Sequence, residues 1–349
     1  MSFTDFYVTP LTLFPHRANY VSELEGFANF GEWIYRQVGC LGTRKFVNDH
    51  ALVKNIRRVI KRGDILVLYP EARYANVGTA SDLPVSLGKL VKLLNVPVVT
   101  VIMHGNYLQS PIWNLKKRRG VPLEASACQL LTAEQIQSLS VDDINAQLKD
   151  ALSYDEYQWQ LDNKLEISQP WRAEGLEHAL YQCPVCKAEY RMNSQGSSLY
   201  CGSCGEHWEM TSLGQLAGKT FSRIPDWYQW QREQVQTEID SGRYQIDIPV
   251  EIEALPNAKG FISLGAGRLV HRQEGFYLSF ENTKLPESIF FSGRSMPSLH
   301  TEYDYQGKGP CVVLSTVDNS YFTYPKAVDS NVTKMMFAAE YAHQLAHSE

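Results

Sequence analysis

Long apolar runs are absent from this sequence: nowhere does it hold the ~18 consecutive apolar residues that a membrane-spanning helix needs. No basic segment followed by an apolar stretch opens the chain, so export is not expected. Internal repeats and low-complexity tracts are missing as well. These absences predict a cytoplasmic protein, or one resting on the inner face of a membrane without crossing it. Cysteine is scarce, with seven in 349 residues, yet four of the seven fall into two CxxC pairs. In a chain without an export signal that pattern predicts metal binding rather than disulfides. Apolar residues at 44% and charged residues at 20% describe a globular protein, too long for one ordinary core, so two or three domains are expected.

Positive charge is sparse beyond the first third. Residues 1–120 hold 16 Lys/Arg against 8 Asp/Glu, a balance of +8. The remaining residues hold 17 against 30, a balance of −13, and the two sum to the net charge of −5. A basic N-terminal part suits an anionic substrate, an anionic membrane surface or an acidic carrier protein. Lys54, Arg57, Arg58, Lys61 and Arg62 read more simply as the solvated face of one helix. The run "KKRR" (116–119) is either a phosphate-attracting loop or a solvated one.

From Asp5 to about residue 155, strand and helix patterns alternate. "ANYVS" (18–22) is a strand and "FANFGEWIYRQV" (27–38) an amphipathic helix. "HALVKNIRRVIKRG" (50–63) is a helix closed by glycine, with cations in its last turns. "DILVLY" (64–69) is almost wholly apolar, as a central strand covered on both faces would be. "LGKLVKLLN" (87–95) is a helix, "VPVVTVIM" (96–103) a second buried strand and "LEASACQLL" (123–131) a later one. Thr132 and Ser140 begin two more helices, each with an acid in its first turn. The fold class expected is α/β, a largely parallel sheet with flanking helices. In such sheets chemistry sits at the carboxyl ends of strands, which directs attention to the residues after "DILVLY".

There stands "YPEARYANVGT" (69–79), with Pro70 ending the strand, Glu71 at its mouth and Arg73 placed to meet an anion. Before the preceding helix lies "GCLGTRKFVND" (39–49), carrying Arg44, and after the following helix comes "NVPVVTVIMHGNYL" (95–108). As an ordered set, these segments resemble the glycerolipid acyltransferases that acylate lysophosphatidic acid. That family has a second motif ending in arginine after a Gly-rich strand, a third reading Phe-Pro-Glu-Gly-Thr-Arg and a fourth centred on a Val-Pro-Val-Val strand. Its first motif is His-x4-Asp, typically Asn-His-x-Ser-x-x-Asp. The opening "MSFTDFY" matches its latter part: Ser2 and Asp5 hold the spacing of the Ser and Asp, Phe3 and Phe6 supply aromatic surroundings, and the histidine falls immediately before Met1. In the third motif the match departs. Ala72 and Arg73 occupy the Gly-Thr positions and Tyr74 the Arg position, unless a one-residue gap aligns Arg73 with the family's arginine.

The resemblance, which covers residues 1–155, implies direct acyl transfer. The histidine would act as general base on a glycerol hydroxyl that attacks a fatty-acyl thioester, delivered as acyl-CoA or on acyl carrier protein. Asp5 would orient that histidine, with Ser2 as a hydrogen-bonding support. Arg44 and Arg73 would hold the phosphate of a lysophospholipid acceptor, and Glu71 would position the glycerol or the basic loop. As written, the chain lacks the base and is expected to be inactive until upstream residues are restored. Taken without the motif set, Asp5 is a helix N-cap and Arg44 an exposed cation at a turn. His104 reads as a satisfied structural histidine, Cys40 and Cys128 as small buried hydrophobes.

The second strong pattern is Cys183-Pro-Val-Cys186 and Cys201-Gly-Ser-Cys204, CxxC-x14-CxxC, which predicts a four-thiolate structural zinc ribbon over 181–212. Gly202 and Gly205 would relax the knuckle backbone. A redox dithiol is the alternative, though two matched pairs argue against it. Nucleic acid is not expected as a partner, because Glu174, Glu177, Glu189, Glu206 and Glu209 surround the module. Residues 156–180 are expected as helix and linker, 213–242 as a helical connector, and 243–349 as a β-rich domain with a closing helix that resembles a PH-like domain in outline. Against the acyltransferase stands a non-catalytic lipid-binding or scaffold protein on the same fold.

Overall fold

The computed structural model describes every residue except Met1, Phe3, Thr283, Leu285, Val328, Asp329 and Glu349. The aromatic role expected of Phe3 therefore lies outside the described residues.

The chain opens with helix α1 (Asp5–Leu13), strand β1 (Ala18–Glu23), helices α2 (Leu24–Phe30) and α3 (Glu32–Gln37), and strand β2 (Cys40–Thr43). One helix was expected over 27–38. Gly31 divides it, with a φ of +97° that an L side chain rarely adopts. Helix α4 (His50–Lys61) follows, its first turn capped by the Asp49 carboxylate, which accepts from the Ala51 and Leu52 amides. Ile56 and Val59 face the core while Lys54, Arg57, Arg58, Lys61 and Arg62 stay exposed, the solvated cationic face expected.

Strand β3 (Ile65–Val67) completes a parallel sheet of order β2-β1-β3, with Tyr20 opposite Cys40 and Ala18 opposite Ile65. The central strand is β1. The run "DILVLY" lies at an edge instead, and Ile65 is exposed, because no strand pairs on its outer side among the described residues. The next apolar run, β4 (Val98–His104), follows α5 (Ser86–Leu94) and pairs antiparallel with β5 (Glu124–Leu131) after the short α6 (Asn106–Gln109). Parallel pairing thus covers three strands, and the second strand pair is separate and antiparallel. Helices α7 (Ala133–Ser138) and α8 (Val141–Ala151) carry complete capping boxes at Thr132 and Ser140, as their sequences imply. Cys128 is exposed on β5, which has solvent on that face, whereas Cys40 is buried as expected.

After α9 (Glu156–Asp162) comes a four-stranded antiparallel sheet, β6 (Met192–Gln195), β7 (Ser198–Cys201), β8 (His207–Met210) and β9 (Leu216–Ala217). Helix α10 (Ile224–Asp240) packs Trp227 against Trp208 at a tilt, with ring centroids 4.6 Å apart and both rings fully buried. The last part is a curled, antiparallel half-barrel of seven strands: β10 (Ile246–Leu255), β11 (Ile262–Arg272), β12 (Gly275–Phe280), β13 (Ser288–Ser292), β14 (His300–Glu302), β15 (Cys311–Ser315) and β16 (Ser320–Pro325). Their order is β13-β12-β11-β10-β16-β15-β14, so β14 is an edge strand. Helix α11 (Val332–Ser348) packs on α10 and buries Met335, Met336 and Phe337. One apolar core runs from Val77 through Leu108, Trp208 and Trp227 to Phe337, while the parallel sheet packs its own cluster around Tyr20, Phe27 and Cys40, and β5 with α7 and α8 a third around Leu131, Ile136 and Ile144. No helix among the described residues is long and apolar enough to cross a membrane.

Candidate functional site

A cleft of about 730 Å³ opens between the parallel sheet and the half-barrel. Its walls include Ser2, Asp5, Arg44 and Lys45, the rings of Phe6, Tyr7, Phe30 and Tyr35, and, from the half-barrel side, His300 and Glu302.

Asp5 is buried in the first turn of α1, where Thr4 rather than Asp5 occupies the N-cap position. Its carboxylate accepts from the Ser2 amide at 2.7 Å and from Asn106 Nδ2 at 2.7 Å. The Ser2 hydroxyl donates to the Asn106 carbonyl at 3.0 Å, and Thr4 Oγ1 donates to the same oxygen. Burial raises the Asp5 pKa, the two hydrogen bonds oppose that rise, and the charge of Glu71 adds to it. Asn106 was not singled out in the sequence. The signal that would have found it is the glycine before it. Gly105 has a φ of +83°, and a Cβ there would stand 2.2 Å from the Pro122 carbonyl oxygen. Only glycine fits, and it turns the chain out of β4 so that Asn106 enters the core beneath Asp5.

The other expected site residues are placed less uniformly. Glu71 accepts from the Ser81 amide at 3.4 Å and lies near enough to Asp5 to influence its charge. Arg44 lines the cleft, but its guanidinium donates to the carbonyls of Leu255, Pro256, Val317 and Asp318 in the half-barrel. Arg73 is buried and paired with Glu340 of α11 at 3.0 Å, a carboxylate that Arg232 and Ser298 also reach. Burial is the largest influence and works against the Arg73 cation, yet Glu340, with Tyr228, Glu71 and Asp82, together outweigh it and the pKa is raised. Ser2, Asp5 and Arg44 thus share the cleft, while Arg73 faces α11. His104 has partners on both ring nitrogens, Tyr154 and Ser126, each at 2.8 Å. In the "KKRR" run, Lys116 pairs with Asp304, Lys117 with Glu174, and Arg119 is buried over the Trp113 ring.

At the carboxyl end of β1 the cleft holds a second polar group. Glu23 holds the N-cap position of α2 without a side-chain capping bond and Glu25 lies in the first turn, while His300 and Glu302, two apart on β14, project from one face of that strand. Lys45 Nζ stands 2.6 Å from Glu23, and the His300 ring lies between Glu302, at 3.2 Å from Nε2, and Glu25, at 3.6 Å from Nδ1. Burial, the largest influence, would raise the Glu23 pKa, but Lys45 and the hydrogen bond with Glu25, with weaker neighbours, together override it and hold the group at about 2. Glu25 is pushed well up by burial first and by Glu23 next, which outweigh the opposing charge of Lys45.

The four cysteines of the small sheet converge. Cys183 Sγ is 3.8 Å from Cys204 Sγ, and Cys186 Sγ is 3.7 Å from Cys201 Sγ, with all four sulfurs within 4.8 Å of one another. Four thiolates at about 2.3 Å from one ion stand about 3.8 Å apart, so the cluster fits a tetrahedral metal. Lys187 and Gly205, each directly after the second cysteine of its pair, have φ of +64° and +76°. Gly205 therefore plays the part expected of it. Gly202 does not adopt positive φ; a Cβ there would meet Asn193 and the Arg191 carbonyl at 3.3–3.4 Å. The surrounding acids are engaged in ion pairs: Glu174 with Lys117, Glu189 with Lys334, Glu206 with Lys219 and Glu209 with Arg172.

No family model, curated protein or solved structure matches this chain.

Proposed function

We propose that this protein transfers a fatty acyl group from acyl-CoA or acyl carrier protein to a lysophosphatidate-like glycerophosphate acceptor. What carries the reading is the position of Asp5, buried in the wall of a cleft that also holds Arg44, Lys45 and the rings of Phe6, Tyr7, Phe30 and Tyr35. Rings suit an acyl chain, and cations suit a phosphate. A histidine directly ahead of Met1, where the motif requires it, would take the acceptor's hydroxyl proton, and Asp5 would orient it. Arg44 lies on the cleft, so its charge favours an anion there even with its donors on half-barrel carbonyls. Lys45 also lies on the cleft, with its charge paired to Glu23 at 2.6 Å.

The assay is acyl transfer to lysophosphatidate or glycerol phosphate by the chain extended with Asn-His ahead of Met1. Activity is expected, with Asp5→Asn lowering it by roughly 10²–10⁴-fold. Absence of transfer to either acceptor, by a folded protein, sinks the proposal. The four-cysteine cluster would hold zinc in a stabilising role, and the half-barrel with α11 would act as a PH-like docking unit. Exposed Leu11, Phe14 and Trp33 near Arg17 and Arg36 suit peripheral contact with an anionic membrane, which vesicle sedimentation measures.

The second reading is a non-catalytic lipid-binding or scaffold protein on this fold. It is favoured by the internal engagement of Arg44 and Arg73, and predicts lysophospholipid binding without turnover.

A further inference from the structure

The polar group at the end of β1 holds more negative charge than its neighbours balance. Glu23, Glu25 and Glu302 contribute three carboxylates. Lys45 neutralises Glu23, and Arg44, whose charge also reaches Glu25, has its donors on half-barrel carbonyls. His300 is only 3% exposed. Its Nε2 is 3.2 Å from Glu302, so the proton of a neutral ring sits on that side and Nδ1 presents a lone pair. Among the described residues that lone pair has no hydrogen-bond donor; it faces Glu25 Oε1 at 3.6 Å, and Glu25 Oε2 has no donor either. Two acceptors facing each other in a buried place repel unless a proton or a cation lies between them. Donors held at about 2.1 Å by one ion stand about 3–3.6 Å apart; Glu25 Oε1 and His300 Nδ1 have that separation, while Glu23 Oε2 stands 4.0 Å from Nε2 and would turn toward Nδ1 on binding. One donor atom each from Glu23, Glu25 and His300 lie within 4.8 Å of one another.

We propose that Glu23, Glu25 and His300 form a divalent transition-metal site, with Glu302 holding the imidazole so that Nδ1 is the ligating nitrogen. A carboxylate behind a ligating histidine is the usual outer-shell arrangement. One nitrogen and carboxylate oxygens suit Mn²⁺, Fe²⁺ or Zn²⁺, whereas the four thiolates elsewhere in the chain select softer ions. The site joins β1 and α2 to β14, so an ion there ties the half-barrel to the parallel sheet. It stands independently of the acyl-transfer reading.

Mn²⁺ is the probe, because its electron paramagnetic resonance signal reports free ion and the thiolate cluster disfavours it. The full chain, with its cysteine cluster metal-loaded, is expected to bind one Mn²⁺ per chain at micromolar concentration. His300→Gln and Glu25→Gln should weaken that binding by more than about 100-fold, and Glu302→Gln, which leaves all three ligands, by roughly 10–100-fold. Circular dichroism and retention of the thiolate-bound metal report whether each variant is folded. If His300→Gln fails to fold, the Glu302→Gln titration decides. No Mn²⁺ bound below millimolar concentration overturns the site, as does equal binding by the wild type and the folded variants.

Discussion

Asn106 donates through Nδ2 to Asp5 Oδ1 at 2.7 Å, joining residues 101 positions apart inside the core. The bond satisfies one oxygen of a buried carboxylate, and the Asn106 carbonyl meanwhile accepts from Ser2 and Thr4. Asn106→Ala removes the side-chain bond and leaves the carbonyl contacts. The variant should lose roughly 1–3 kcal/mol, the cost of an unsatisfied buried acceptor, as read by urea unfolding. An unchanged midpoint would mean that Asp5 finds its partners elsewhere.

The Arg73–Glu340 pair tests whether Arg73 holds a ligand or holds the fold. Both side chains are about nine-tenths buried, and Arg232 and Ser298 share the carboxylate. Removing Arg73 leaves Glu340 with Arg232 and Ser298, so the cost is that of lost charge-assisted hydrogen bonding, about 1.5–3 kcal/mol. Arg73→Met is therefore expected to lower the unfolding midpoint by that order in the absence of any ligand. A variant as stable as the wild type, with weakened phosphate binding, would return Arg73 to the acceptor.

The cysteine cluster shares its core with α10 through Trp208 and Trp227, and α10 packs on α11. Metal loss should therefore spread beyond the small sheet. Chelation, or Cys201→Ser, is expected to lower the melting temperature of the whole chain in one transition, with one metal ion per chain released on elemental analysis. A separate low-temperature transition, leaving the half-barrel untouched, would show the small sheet to be an independent unit.

What could be read from sequence is what local spacing encodes. Two CxxC pairs declare a four-cysteine cluster, Thr132 and Ser140 declare their helices, and Ser2 and Asp5 fall together because they stand three positions apart. Arg44 and Arg73 were read by type, as anion ligands, because their partners at Val317 and Glu340 lie more than 260 residues away. "HTE" at 300–302 looks like an ordinary exposed edge strand. Only the fold brings Glu23 and Glu25 to it and buries the histidine. The strand "DILVLY" illustrates the limit in another way. Its apolar run shows that it avoids water, but neighbour choice depends on β4, which pairs with β5.

His271 provides a pH test that no proposed site enters. It is buried on β11, stacked on Phe276 with centroids 3.6 Å apart, and shares a 2.8 Å hydrogen bond with the Tyr244 hydroxyl. Burial lowers its pKa from 6.5 to about 3. The folded protein therefore keeps the ring neutral while the unfolded chain takes up a proton below 6.5. Stability from this group is fully present above pH 6.5 and is lost as pH falls toward 3, at about 1.4 kcal/mol per pH unit. His271→Gln retains a hydrogen-bonding side chain without titrating in this range. Urea midpoints measured between pH 7 and 4 should fall less steeply for the variant, by close to one proton. If the two slopes coincide, the ring is already protonated in the folded state or reached by water, and burial on β11 does not control it.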